Sequence, residues 1–84
     1  MKYAITSKKF EFGLFDTLKT IELENSYRIS AQYMGDYIGY NVTKDDETVD
    51  EFSTSGDDKS YYSSEWGEYY KYLDELMPDE EDED

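Results

Sequence analysis

Carboxylates are the reactive groups this sequence offers in quantity, 22 Asp and Glu in 84 residues with no His and no Cys. Chemistry near neutral pH leans on imidazole or thiolate, so catalysis here would fall to carboxylate, phenol, amine or hydroxyl. Two carboxylates can hydrolyse a glycoside. At this acid density, however, such pairs arise by chance, and a chain this short has no room for a deep cleft. Carboxylates also bind hard cations, and Asp45-Asp46-Glu47, Asp50-Glu51 and Asp57-Asp58 supply oxygen donors. A calcium loop beginning at Asp50 would place Phe52 at a ligand position and Ser55 where glycine is required. One beginning at Asp45 would place Asp50 at the glycine position. No glycine-rich phosphate loop is present. These residues predict a protein that is not an enzyme and has no cofactor and no dedicated metal site.

The position of the acids says more than their number. Residues 1–42 hold five acids and five bases, whereas residues 43–84 hold 17 acids against Lys44, Lys59 and Lys71, so the whole net charge of −14 lies in one half. That asymmetry points to a charged interaction surface or tail. The elements that must carry it begin with strands. Tyr27, Ile29, Ala31 and Tyr33 alternate with polar neighbours, and Ile38, Tyr40 and Val42 do the same, a period of two that predicts a hairpin across Met34-Gly35-Asp36. Ile21 and Leu23 make a third strand. Tyr3 with Ile5 and Phe10 with Phe12 give two short candidates, with Gly13–Leu18 read as one helical turn beside them. The expectation is an antiparallel meander of four or five strands over residues 2–43.

Beyond Thr43 the pattern changes. The polar stretch from Lys44 to Lys59 contains Val49 and Phe52 three residues apart, which reads as a short helix. Trp66, Tyr69, Tyr70, Leu73, Leu76 and Met77 fall on a 3.6-residue period and predict an amphipathic helix over about 63–77, capped by Ser63 or Ser64 and stopped by Pro78. Neither sheet nor helix buries its apolar side alone, so the fold class is α+β with the helix laid on the sheet. Residues 1–78 form one globular domain. Asp79–Asp84, six consecutive acids, reads as a disordered acidic tail. No apolar run is long enough to span a bilayer, and the N-terminus lacks the apolar stretch of a secretory signal. The expectation is a cytoplasmic protein that binds no membrane.

Tyr33, Tyr37 and Tyr40 could stack nucleobases, but tyrosines in alternating strands usually fill a half-buried face. A net charge of −14 also opposes the phosphate attraction that dominates nucleic-acid affinity. No direct nucleic-acid binding is expected. The alternative is that the acids themselves stand in for a polyanion. Acids three and four residues apart on a helix lie about 5–6 Å from one another, comparable to phosphates along a strand. Eleven candidates precede the tail: Asp45, Asp46, Glu47, Asp50, Glu51, Asp57, Asp58, Glu65, Glu68, Asp74 and Glu75. Crowding should raise their pKa values on average.

In size, charge, tyrosine content and lack of His and Cys, the chain resembles the small acidic phage-encoded inhibitors of host defence, the DNA-mimic proteins. The likeness is one of composition, covers mainly residues 43–84, and carries no motif. It implies a phage origin, the host cell cytoplasm, and a nucleic-acid-binding host protein as target, as for anti-restriction and anti-CRISPR inhibitors. The competing reading is an acidic adaptor or accessory subunit that binds a basic protein without mimicking DNA or RNA. Tyr61, Tyr62 and Tyr72, read as exposed, would suit a homodimer interface.

Overall fold

The computed structural model describes residues 2–55 and 57–76. Five strands run β1 (Ile5–Phe12), β2 (Thr17–Leu23), β3 (Tyr27–Tyr33), β4 (Ile38–Lys44) and β5 (Glu47–Thr54), followed by a 3-10 turn at Ser60–Ser63 and one helix, α1 (Gly67–Glu75). The strands form a single antiparallel sheet in the order β1-β2-β3-β4-β5, a meander in which each strand pairs with its sequence neighbours. The α+β architecture is therefore as the alternation of apolar residues predicts, but the sheet is longer than residues 2–43.

The extension is β5, where a short helix was expected. Asp45 and Asp46, with φ of 53° and 71°, make the two-residue loop between the paired Lys44 and Glu47. Paired positive φ values give the mirror-image turn whose twist matches a hairpin, and Asp tolerates them. Along β5 the pairing shifts between Val42 and Thr43, so Val49 is skipped and bulges out 51% exposed. The bulge breaks the period of two and leaves Val49 and Phe52 three residues apart, a spacing that imitates a helix. Likewise β1 is one continuous strand from Ile5 to Phe12 rather than two short pieces. Its Lys8-Lys9 interrupts the apolar alternation without interrupting the pairing. Gly13–Asp16 is a tight turn instead of a helical one, closed by Gly13 N–H donating to the Asp16 carbonyl at 2.8 Å.

One face of the sheet is covered. Ile21, Leu23, Ile29, Ala31, Tyr40 and Val42 meet Tyr61, Trp66, Tyr69, Tyr70, Leu73 and Leu76 in one core, each at most 7% exposed. Met77 and the tail Asp79–Asp84 lie outside the described residues. The helix starts later than expected, at Gly67, and Trp66 rather than a serine precedes it. Ser63 and Ser64 turn their hydroxyls back to the carbonyls of Ser60 and Tyr61, which closes the 3-10 turn instead of capping the helix. A Cβ on Gly67 would collide with the Tyr62 carbonyl, so only glycine lets the helix begin directly beneath that turn. At the other end, Lys19 Nζ donates to the carbonyls of Leu73 (3.2 Å) and Leu76 (2.8 Å), satisfying the helix C-terminus from β2. The Tyr69 hydroxyl holds the chain before β1 by donating to the Tyr3 carbonyl at 2.7 Å.

Candidate acidic interface

The eleven carboxylates divide into those the fold has used and those it presents. Asp74 is the clearest case of the first kind. Its side chain is only 9% exposed. Oδ1 accepts from the hydroxyls of Tyr33 (2.9 Å) and Tyr40 (2.6 Å), and Oδ2 from Tyr61 (2.6 Å) and Tyr62 (2.5 Å). Those donors come from β3, β4 and the 3-10 turn, so one carboxylate ties three elements to the helix. The Tyr40 and Tyr61 hydroxyl oxygens also lie 2.7 Å apart; each has one proton, so with both given to Asp74 neither donates to the other, and a Tyr–Tyr hydrogen bond would form only by taking one donor from the carboxylate. Burial pushes Asp74 upward, but the four phenolic donors outweigh it and hold the group below the usual carboxylate range. Burial, then the hydrogen bonds to this anion, push Tyr33 and Tyr40 well above the usual phenol value.

Asp74 therefore leaves the set of surface candidates, and Tyr61, expected to be exposed, is buried beside it. Tyr62 and Tyr72 are half-buried. The proposed base-stacking trio is dispersed too, since Tyr33 and Tyr40 are turned toward Asp74 and only Tyr37, 47% exposed, meets solvent. A signal for Asp74 was present: it stands four residues after Tyr70, on the apolar stripe of the helix, where an ionised group needs partners.

The remaining candidates form two groups. Asp45, Asp46, Glu47 and Glu51 are exposed on the β4–β5 turn and the edge strand β5, and Asp57 and Asp58 are exposed on the loop that follows. Asp50, on the same strand, is half-buried and accepts from the Tyr70 hydroxyl at 3.0 Å on the helix side, while Glu51 lies near Asn41 Nδ2 at 3.5 Å on the other. Asp58 accepts from the backbone N–H and the hydroxyl of Ser60, which hold it below the usual carboxylate range. Crowding alone would have raised it. Glu65, Glu68 and Glu75 are exposed along the helix and its approach, with Glu65 paired to Lys2 at 2.7 Å. The structure thus puts Glu47, Asp50 and Glu51 on the edge strand with Asp45–Asp46 and Asp57–Asp58 in the turns at its ends, and the other three on the helix and its approach.

No family model, curated protein or solved structure matches this chain. Among the described residues, no three acids converge as a metal site would require. Nor, among the described residues, is any helix long and apolar enough to cross a membrane.

Proposed function

We propose that this chain is a non-enzymatic inhibitor of the phage anti-defence type, which occupies the nucleic-acid-binding surface of a basic host protein with the acidic edge of its sheet. The observation that supports this most is linear charge density. The eight-residue strand β5 and its two flanking turns carry Asp45, Asp46, Glu47, Asp50, Glu51, Asp57 and Asp58. At about 3.3 Å per residue such a strand is about 26 Å long. Glu47, Asp50 and Glu51 lie on that length, with the pairs Asp45–Asp46 and Asp57–Asp58 in the turns beyond its ends, against seven to eight phosphates at about 3.4 Å spacing on the same length of one duplex strand. A lysine- and arginine-lined groove would meet negative charge at both ends and the middle of this edge, more sparsely than on a duplex.

Rigidity supports the same reading. The edge is paired to β4 on both sides of the bulge at Val49 and pinned from above by Tyr70 on Asp50. Carboxylates held in place lose little conformational entropy on docking. Opposite fields should make association fast and strongly salt-dependent. The test is competition. A partner captured from host lysate at low salt and identified by mass spectrometry should be released by duplex DNA or RNA. A partner that keeps both the protein and the duplex would make the chain an acidic adaptor.

A further inference from the structure

The end of the sheet where the β1–β2 and β3–β4 turns lie side by side has a character the acidic edge does not explain. Leu14 is 90% exposed and Phe15 87%, with Phe12 (66%), Tyr37 (47%) and Met34 (38%) also open to solvent. The two turns are joined, because Gln32 Nε2 donates to Asp16 Oδ2 at 2.8 Å and Thr17 pairs with Tyr33. The first turn is also fixed from within. Gly13 N–H closes onto the Asp16 carbonyl, and a Cβ on Gly13 would run into the Asp16 side chain. Hairpin turns ordinarily carry Gly, Asn, Asp, Ser or Pro. Here the two central positions hold large apolar side chains that folding leaves almost wholly in water. An apolar cluster of this kind on a small soluble chain marks a contact surface.

We propose that this tip is a second contact point of the protein, and that its occupant is an apolar face rimmed by lysine and arginine on a protein partner. The proposal rests on the reading of the acidic edge and names what else its partner must offer. Charge decides the occupant. Asp16 and Asp36 lie in the two turns themselves. Of the nearby bases, Lys9 is paired with Glu11 at 3.2 Å, and Lys19 is committed to the helix carbonyls. A second copy would bring two acidic rims together on a chain of net charge −14. An anionic membrane surface would be repelled in the same way. A basic rim around an apolar face matches both features, and burying one such side chain is worth about a tenfold to hundredfold gain in affinity.

The test uses the whole protein and two synthetic helical peptides of equal positive charge, one with leucine along one face and one with serine in its place. Fluorescence anisotropy should give at least about tenfold tighter binding of the Leu/Lys peptide than of the Ser/Lys peptide. Leu14→Ser with Phe15→Ser, checked for an unchanged melting temperature, should erase that margin and leave Ser/Lys binding unaltered. No margin in the unaltered protein, or a margin that survives the double substitution, overturns the proposal. So does a dimer in sedimentation that the substitution dissolves, which would assign the tip to a second copy. Binding to phosphatidylcholine vesicles that depends on Leu14 and Phe15 would assign it to lipid and overturn it as well. Should the Ser/Lys peptide fail to bind at low salt, the acidic-edge reading fails separately, whatever the leucine margin.

Discussion

The carboxylate of Asp74 lies beneath the helix within reach of four phenolic hydroxyls, whereas those of Asp46, Glu51 and Asp57 are exposed along the sheet edge and its turns. The same functional group thus has two uses in one small chain. Inside, a single anion adds to the apolar packing that fastens sheet, turn and helix; without it Tyr33 would keep only the Leu73 carbonyl at 3.3 Å, and Tyr40 and Tyr61 only one another. Outside, the anions contribute nothing to the core and repel one another. Charge composition alone therefore does not rank acids as functional. Partners do.

The strongest way to break the contrast is Asp74→Ala. It leaves four hydroxyls without their acceptor in a buried site, and should cost about 3–5 kcal/mol, a large part of what a domain this size has. Asp74→Asn, which keeps an acceptor oxygen but not the charge, should cost less. Thermal or urea unfolding measures both, and a loss below about 1 kcal/mol for the alanine would place Asp74 among the surface acids after all.

Removing one donor sharpens the picture at smaller scale. Tyr33→Phe or Tyr62→Phe deletes one hydrogen bond to a charged group and should cost about 1.5–3 kcal/mol. The pH dependence carries the same signature with two signs. Asp74 and Asp58 are depressed when folded, so their contribution is complete above the ordinary carboxylate value near 4 and is lost as pH falls through the folded values. Tyr33, Tyr40, Tyr61, Tyr62 and Tyr70 are raised when folded. Their contribution is complete below about 10 and is lost as pH climbs toward the folded values. Tyrosinate absorbance should therefore rise late for this group, together with unfolding. Ionisation of all ten tyrosines near pH 10 without loss of structure would contradict the buried cluster.

The smallest effect on stability is expected at the edge. Asp46→Asn, which keeps a side chain that tolerates the left-handed backbone, together with Glu51→Lys and Asp57→Lys, should change stability by no more than about 0.5 kcal/mol per site. A collapse of the fold in that variant would mean that the edge acids are structural too.

How much of this was legible beforehand follows from which residues obey a period. β3 and β4 alternate cleanly, and the helical stripe from Trp66 to Leu76 is regular, so the sheet, the helix and their packing could be read directly. β5 could not, because acids are poor strand formers and the bulge at Val49 shifts the phase in the middle of the strand. The late helix start depends on Gly67 fitting under the Tyr62 carbonyl, a tertiary contact with no local signal. Of the candidate site, the acidic edge was visible as composition, but the split between edge and interior was not. Asp74 differs from Glu75 only in which side of the helix it occupies, and its four tyrosines come from positions 12 to 41 residues away in sequence.

The central claim is that fixed acids on the sheet edge, rather than the acidic run at the C-terminus, hold the partner. Binding of the captured partner should be measured side by side for the unaltered protein, the variant Asp46→Asn/Glu51→Lys/Asp57→Lys, and a chain ending at Pro78. The account predicts a loss of at least about a hundredfold for the edge variant, as expected when several charge pairs are reversed, and a much smaller loss for the shortened chain. If the shortened chain loses binding while the edge variant keeps it, the edge is not the interface and the folded domain merely displays an acidic peptide.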